Sequence, residues 1–294
     1  MLVAWKYKER NTLIQRLDPR ARWIFLLAFT FSIIKFWDIR FLLFFFVISF
    51  SHYLLCKLTW KETRRIWTFV LILVVVIIGI NAILTGRGGP GEVLSGDKHI
   101  VWQVEWTVPW VGWNIRPNIT VEKLVFAATQ MVRMLSITTL FIPLAFTFNP
   151  NQYGVTFRGL GLPDKLAVSM DLAFRFVPTL GRDFSTTLDS QRARGYEIEK
   201  LEGGLIAQIR KMAPLIVPVT INAIVGGEDI VNAMDLRCFG LRKRTWIQKL
   251  EYKSRDYVLI GLSLLLYAGS TFIDLGLKLG DFWMPAWATG LFGF

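Results

Sequence analysis

Long apolar runs alternate with polar segments along the chain. The runs cover about residues 21–36, 39–56, 66–84, 121–147 and 257–277. Residues 66–84 carry no charge, and about 20 helical residues suffice to cross a hydrocarbon core about 30 Å thick. The pattern predicts an all-α integral membrane protein with about five transmembrane helices. The hydrophobic share of 53% over 294 residues exceeds what a soluble domain needs and agrees with this prediction.

A different pattern begins at residue 148 and continues to residue 256. From Asp164 onward, apolar residues recur every three or four positions, and charged residues occupy the opposite face. This spacing predicts an amphipathic helix of about 30 residues that ends near Arg194, with Gly195 as its C-cap. The apolar stripe includes Met170, Phe174, Val177 and Phe184.

A second long segment follows at about residues 203–239. Pro214 and Pro218 predict a kink or a break, after which the helix resumes beyond Gly226-Gly227. The apolar run around the two prolines, about 14 residues, is short for a membrane crossing. We therefore expect this segment to lie against the membrane face or to pack across the first helix.

Basic residues cluster in particular polar segments, which explains the net charge of +12 without nucleic acid as a partner. Residues 1–22 and 57–65 are rich in Lys and Arg, whereas the charges of 85–120 balance. The positive-inside bias predicts a cytoplasmic N-terminus and an outward segment 85–120. The domains are then 1–147 with four spans, a cytoplasmic insertion 148–256, and 257–294 with the last span. The C-terminus faces outward.

The outward segment 85–120 opens with a glycine-rich turn and continues with alternating residues around Trp102 and Trp106. Alternation predicts a short strand or hairpin. The tryptophans suit the lipid headgroup layer, which favours an interfacial anchor over a lid or a partner contact. Within the fourth span, the charge of Arg133 predicts a position packed against protein.

The residues give little support to an enzyme. Zinc chemistry needs clustered histidines, and the chain has only His52 and His99. The acidic residues of 164–189 are spread along one helix instead of converging on a metal ion. No cofactor or metal site is predicted. A self-sufficient secondary transporter stays as an alternative function, although no internal repeat is visible.

Both long helices of 148–256 end near an arginine. The first ends in Ala193-Arg194-Gly195, and the second in Leu236-Arg237-Cys238, with Gly240 three residues after the arginine. Taken alone, these arginines are ordinary cations that stabilise the negative end of a helix dipole.

Several motifs in order resemble the transmembrane T component of energy-coupling factor (ECF) transporters, a class of prokaryotic ABC importers. The resemblance covers most of the chain outside 85–120, and Leu236 and Cys238 depart from the family's Ala-Arg-Gly. The matching segments are Leu17-Asp18-Pro19-Arg20, Gly161-Leu162-Pro163, and the stretches 172–180, 191–195 and 233–240.

The resemblance implies a non-catalytic coupling subunit in the prokaryotic cell (inner) membrane for vitamin or metal-ion uptake. Its implied partners are two ABC ATPase subunits, which bind the ATP, and a small substrate-capture (S) protein in the membrane. The implied ATPase contacts are Ala193, Arg194, Gly195, Leu236, Arg237 and Cys238. The implied S-protein contacts are Met170, Phe174, Val177 and Phe184, on long crossed helices that act as levers.

Overall fold

The computed structural model describes residues 7–80, 100–103, 106–108, 113–115, 118–196, 205–241, 246, 248–277, 280 and 283. Helices dominate these residues, which confirms the predicted all-α membrane protein. They are α1 (Pro19–Lys35), α2 (Ile39–Leu55), α3 (Trp60–Ile80), α4 (Val121–Phe141), α5 (Leu144–Thr147), α6 (Tyr153–Gly159), α7 (Asp164–Ala193), α8 (Leu205–Leu236) and α9 (Ser254–Leu277). A 3₁₀ turn, Pro150–Gln152, precedes α6.

Four short strands lie between α3 and α4, as the alternation around Trp102 and Trp106 predicts. They are β1 (Ile100–Gln103), β2 (Trp106–Val108), β3 (Trp113–Ile115) and β4 (Asn118–Thr120). Strands β2 and β3 pair antiparallel. Strands β1 and β4 also pair antiparallel, with an irregular register between Ile100 and Trp102. In the sequence, the β2–β3 pair lies between β1 and β4, as in a long hairpin. The chain passes directly from Thr120 of β4 into Val121 of α4.

Within the described residues, three helical segments are long and apolar enough to cross a membrane. They are Lys123–Thr147, Met212–Leu236 and Ser254–Leu277. The helix Ile39–Leu55 is apolar but shorter. Since Met212–Leu236 is one helical segment of 25 residues, the expectation that this region is too short to cross is wrong. Length alone therefore does not decide where α8 lies.

The chain divides into two compact units. One contains residues 8–148 and 252–294, and its core is formed by α1, α2 and α4, with half-buried residues of α9 packed against it. The hydroxyl oxygens of Ser32 in α1 and Ser270 in α9 lie 3.1 Å apart, and both residues are buried. Small residues of this kind let membrane helices approach closely. The buried core residues are Phe25, Leu26, Phe29, Ile33, Phe36, Leu42, Phe45 and Leu140.

Large apolar side chains on the outer faces of this unit are exposed. Phe44 of α2 is 60% exposed, Phe69 of α3 66% and Leu265 of α9 70%. In water such a surface would be unfavourable, because soluble proteins seldom expose extended apolar patches. The surface suits lipid, in agreement with a membrane protein.

The first two helices begin with the same arrangement of charges. The Asp18 carboxylate caps α1 by accepting a hydrogen bond from the backbone N–H of Arg20. The guanidinium of Arg20 donates two further hydrogen bonds to the same carboxylate. Asp38 caps α2 and binds Arg40 in the same way. Asp256 then ties the start of α1 to the start of α9, because its Oδ1 accepts from the backbone N–H of Asp18 at 2.8 Å. The Asp-Pro-Arg motif is thus a helix cap and a turn.

Arg133 of α4 is packed against protein, as predicted. Its side chain is 7% exposed and its Nη2 donates to the backbone carbonyl of Phe36, just beyond the C-terminus of α1. The guanidinium also lies 4.2 Å from the centre of the Trp37 ring. A cation at this end of α1 is favoured by the helix dipole.

The second compact unit contains α6, α7 and α8, which belong to residues 149–251. Helix α6 packs closely on α7 at Gly154, where a Cβ atom would lie 2.6 Å from the carbonyl oxygen of Ala167. The ring of Tyr153 stacks on Phe174 with centroids 4.5 Å apart. Only glycine fits at residue 154, because any side chain would collide with the backbone of α7.

Helix α8 is continuous through Pro214, Pro218 and Gly226-Gly227, so the predicted break does not occur. Pro218 has no N–H for the carbonyl of the residue four positions earlier, which is Pro214. The Nε2 of Gln191, near the end of α7, lies 3.5 Å from that carbonyl oxygen and supplies a long hydrogen bond in its place. The carbonyl that Pro218 frees is thus one that α7 can satisfy.

Candidate partner-binding site

The ends of α7 and α8 have the same hydrogen-bond geometry. After α7, the N–H of Gly195 donates to the carbonyl of Arg192 at 2.9 Å, and that of Tyr196 to Gln191 at 3.0 Å. After α8, the N–H of Cys238 donates to Asp235 at 2.9 Å, and that of Phe239 to Met234 at 3.0 Å. Both sets form a Schellman motif, in which the residue after the C-cap is left-handed.

The left-handed residue differs between the two ends. Gly195 has φ +82°, and it was predicted as the C-cap glycine of α7. At the end of α8 the corresponding residue is Cys238, with φ +57°. In both cases the arginine, Arg194 or Arg237, is the residue between the last helical position and the left-handed one. The structure therefore places the two predicted arginines at equivalent positions of equivalent motifs.

The side chains of both arginines are exposed, and neither guanidinium has a hydrogen bond or ion pair with any residue that the structure describes. Their neighbours Ala193, Gly195 and Cys238 are exposed as well, and Leu236 is 87% exposed. By contrast, the nearby Arg192 lies 3.8 Å from Asp189 in an ion pair. An exposed guanidinium without an internal partner keeps all five N–H donors for an external carboxylate.

The two arginine ends lie far apart along α8. Gln191 near the end of α7 meets α8 at Pro214, whereas Arg237 follows the last residue of α8. The 23 residues from 214 to 237 correspond to about 35 Å of helix at about 1.5 Å per residue. Ends this far apart do not fit one binding groove, so they form two separate exposed surfaces.

The four predicted S-protein contacts on α7 are half-buried within the chain. Phe174 has one ring face against Tyr153 of α6, whereas Met170, Val177 and Phe184 are partly exposed. Apolar side chains of α8 are exposed to a greater extent, among them Ile221 at 53% and Ile224 at 58%. The set Met170, Phe174, Val177 and Phe184 stays a prediction.

The described residues contain no group of three or more His, Cys, Asp and Glu that could hold a metal ion. Of the two cysteines, Cys56 is buried and Cys238 is exposed. The exposed surface of α7 and α8 therefore combines charged side chains of both signs with apolar ones, which suits binding to other proteins.

Comparison with known proteins gives one family and several relatives. A family model described as "Cobalt transport protein", CbiQ, matches residues 10–247. The chain belongs to the CbiQ family. Three relatives are each named energy-coupling factor transporter transmembrane protein EcfT. The relative from Thermanaerovibrio acidaminovorans is 26% identical over 278 residues, covering 92% of this chain and 95% of the relative.

The other two relatives agree with this CbiQ-family match. The protein from Thermosediminibacter oceani is 27% identical over 275 residues, with 90% of this chain and 95% of the relative covered. The protein from Staphylococcus aureus is 25% identical over 282 residues, with 90% and 96% covered. The predicted membership is confirmed: this CbiQ-family chain is the T component of an energy-coupling factor transporter, a membrane protein that serves transport.

The sequence did not reveal three features of this region. Gly154 lies in a short helix without an obvious motif, and only its contact with α7 explains it. The sequence shows that Pro218 leaves the carbonyl of Pro214 without a helical donor. It does not show that Gln191 lies close enough to donate to that carbonyl. The left-handed conformation of Cys238 has no sequence signal, because cysteine seldom adopts it.

Proposed function

We propose that this chain transmits the closure of two ABC ATPase subunits to a separate substrate-capture protein in the membrane, for vitamin or metal-ion uptake, without catalysing a reaction itself. The observation that carries the proposal is the pair of matching helix ends. Each presents one exposed arginine, Arg194 or Arg237, at the same position of the same motif, and neither side chain is paired within the described part of the chain.

The chemistry of the two arginines supports contact with two subunits. A guanidinium can bind a carboxylate through two parallel, charge-assisted hydrogen bonds. The cost of desolvating the arginine is offset only when such a partner is present. Because about 35 Å of α8 lies between the ends, each arginine meets its own groove. Two grooves in two ATPase subunits fit this arrangement.

The two long helices can act as levers because each is continuous. Helix α7 has 30 residues and α8 has 32, and they are joined by packing near Gln191 and Pro214. A displacement at either arginine end would thus move the apolar faces of both helices. We propose that Met170, Phe174, Val177 and Phe184, together with exposed apolar residues of α8, bear on the S protein.

We also propose that the N-terminus, α7 and α8 lie on the cytoplasmic side, with α8 along the membrane surface. Helix α8 carries exposed Glu228 and Asp229, and two adjacent carboxylates are costly inside a bilayer. Helix α7, which packs against α8, has exposed charges along its length, among them Lys165 and Arg182. A helix pair of this composition suits the interface better than the hydrocarbon core.

The native cysteines allow a direct test of this orientation. Cys238 is exposed, whereas Cys56 is buried and should not react. A membrane-impermeant maleimide is expected to label the wild-type chain in inside-out vesicles and to leave it unlabelled in right-side-out cells. The Cys238→Ser variant is the control that identifies the labelled residue. Labelling only from the outside would place Cys238 on the outer side of the membrane and would contradict the orientation.

The coupling role is tested by replacing both arginines. In Arg194→Ala/Arg237→Ala, the partner carboxylates would be left without a counter-charge. Each loss at a desolvated contact costs about 2–5 kcal/mol of binding. The chain is expressed with the ATPases and the small membrane proteins of its host, and ATPase retention in a pull-down and uptake into vesicles are measured. Loss of both is expected.

The matched control is Arg182→Ala/Arg192→Ala, which removes two other exposed arginines from α7. It is expected to retain the ATPases and to transport. Equal loss in both variants would mean that overall charge, and not the two helix ends, is responsible. If the wild type retains no ATPase and transports alone, the chain is a self-sufficient secondary transporter.

A further inference from the structure

One face of α3 changes from basic to apolar along its length. Residues 61, 64, 65, 68, 69, 72, 75 and 76 recur at helical spacing and are all exposed. Its first part contains Lys61, Arg64 and Arg65. Its second part contains four large apolar side chains: Phe69 at 66% exposure, Ile72 at 65%, Val75 at 58% and Val76 at 51%. We call these eight residues the α3 face.

The cations of the α3 face are not used within the described part of the chain. Lys61, Arg64 and Arg65 have no ion pair or side-chain hydrogen bond there. The adjacent acid, Glu62, is already occupied by Lys8 at 2.8 Å and by Arg10. Hydrogen bonds from Lys8 and Arg10 lower the pKa of Glu62 to about 2, so its carboxylate stays ionised and paired.

The N-terminal segment thus keeps Glu62 from neutralising the α3 face. Arg10 also donates to the backbone carbonyl of Lys57, which fixes the segment against the start of α3. Lys57 itself is exposed, has no side-chain partner among the described residues, and adds a fourth cation next to the face. Trp60, 64% exposed, lies at the edge of the same cluster. Tryptophan at such a position is typical of the membrane interface.

The dimensions of the α3 face match one lipid molecule. From Arg65 to Val76 the helix rises about 16 Å, since each residue contributes about 1.5 Å. Half of a hydrocarbon core about 30 Å thick is about 15 Å. A lipid whose headgroup meets the cations would therefore have its acyl chains alongside Phe69, Ile72 and Val76. A soluble anion would use only the first part of the face.

We propose that the α3 face binds an anionic phospholipid, with the phosphate at Lys61, Arg64 and Arg65 and the acyl chains along the apolar residues. Clusters of cations beside a membrane span attract anionic headgroups electrostatically. The three cations lie within two turns of one helix, so they can meet one headgroup together. This site is independent of the two arginine ends and does not rest on the coupling role.

The test uses the full chain in nanodiscs of equimolar phosphatidylglycerol and phosphatidylcholine. Native mass spectrometry counts the lipids that stay bound. The wild type is expected to retain phosphatidylglycerol in preference to phosphatidylcholine. The variant Lys61→Gln/Arg64→Gln/Arg65→Gln is expected to lose that preference, by roughly fivefold for each cation removed at low salt. Salt at 1 M should weaken the wild-type preference, because it screens charges beyond about 3 Å.

Two further variants separate a site from overall charge. Lys165→Gln/Arg182→Gln/Lys249→Gln removes three exposed cations elsewhere and is expected to retain phosphatidylglycerol as the wild type does. Lys61→Arg/Arg64→Lys/Arg65→Lys keeps the charges of the face and is expected to keep most of the preference. Thermal unfolding in phosphatidylcholine alone checks that every variant is folded.

Four results would overturn the proposal, the last of them being that the α3 face binds a headgroup alone. The first is unchanged phosphatidylglycerol retention after the three glutamine substitutions in the α3 face. The second is an equal loss in the control with three cations removed elsewhere, which would indicate a charge effect without a site. The third is unchanged lipid retention with loss of ATPase co-purification, which would assign the face to a protein partner. Displacement of the lipid by inorganic phosphate at millimolar concentration would show that the headgroup alone is bound.

Discussion

The ends of α7 and α8 combine one backbone geometry with two different sets of residues. At the end of α7, Gly195 adopts φ +82° without a steric penalty, because it has no Cβ. At the end of α8, Cys238 adopts φ +57°, and a left-handed conformation costs an L-residue about 1–2 kcal/mol. The motif persists at α8 in spite of this cost. The hydrogen bonds that close each helix, and not the glycine, therefore determine where the arginine lies.

The neighbours of the arginines differ as much as the left-handed residues do. Ala193 and Gly195 flank Arg194 with almost no side-chain volume, so a partner's backbone can approach closely. Arg237 instead follows Leu236, a large apolar side chain that is 87% exposed. If the proposed ATPase contacts form, the α7 end would rely on close backbone approach, whereas the α8 end would add apolar contact to the arginine–carboxylate pair.

The largest expected effect is the loss of ATPase binding when each arginine is replaced singly. Arg194→Ala and Arg237→Ala should each weaken ATPase binding by about 2–5 kcal/mol, because each strands a carboxylate in its own groove. Sites this far apart should be additive within about 0.5 kcal/mol. Binding of purified ATPase to the chain in nanodiscs, measured for both single variants and the double variant, gives the coupling energy. A coupling above 1 kcal/mol would mean that the two ends share one site.

A smaller effect is expected from the flanking residues. Leu236→Ala should weaken ATPase binding by about 1–2 kcal/mol if the exposed leucine becomes buried in the groove. At the other end the reverse change, Ala193→Leu, should also weaken binding, since added volume blocks close approach. The same nanodisc binding assay measures both. If Ala193→Leu is neutral and Leu236→Ala is neutral, the two ends bind through their arginines alone.

Much of the architecture follows from the sequence, because hydrophobic periodicity is a strong signal in long helices. The predicted amphipathic helix of about 30 residues corresponds to α7, and Gly195, predicted as its C-cap, is the left-handed residue directly after the C-cap Arg194. Of the predicted kink or break at the prolines, the break was wrong, since a proline removes one hydrogen bond but need not end a helix whose freed carbonyl finds another donor. That donor, Gln191, comes from a different helix, which sequence periodicity cannot reveal.

The candidate site was predictable in part. The arginines could be located near the ends of two long apolar patterns, but their role as partner contacts came from the family resemblance. Their equivalence could not be predicted, because it depends on the backbone conformation of Cys238, which no residue type signals. The packing of Phe174 against Tyr153 could not be predicted either, since α6 has only seven residues and shows no hydrophobic periodicity.

The smallest expected effect comes from exchanging the residues at the left-handed position. Gly195→Ala should destabilise the end of α7 by about 1 kcal/mol, because a Cβ is introduced where φ is positive. Cys238→Gly should stabilise the end of α8 by about 0.5 kcal/mol. The free energy gained by removing the Cβ clash exceeds the entropic cost of a glycine, which makes the unfolded chain more flexible. Hydrogen exchange of the amides of Tyr196 and Phe239, which close the two motifs, measures each change locally. Exchange should be about fivefold faster for Gly195→Ala and about twofold slower for Cys238→Gly.

Cys238→Ser is the matched control for this exchange, because it removes the thiol and keeps the Cβ. Its amide exchange should equal that of the wild type. If Cys238→Gly accelerates exchange at Phe239, then contacts of the cysteine side chain hold the end of α8, and the left-handed strain is not its main energetic feature. If both Cys238→Gly and Gly195→Ala leave exchange unchanged, the C-terminal turns are stabilised mainly by packing of the residues that follow them. In the remaining case, exchange at Phe239 is slower in Cys238→Gly and unchanged in Cys238→Ser. The stability of the two helix ends then differs by the free energy that a Cβ atom costs at a left-handed residue.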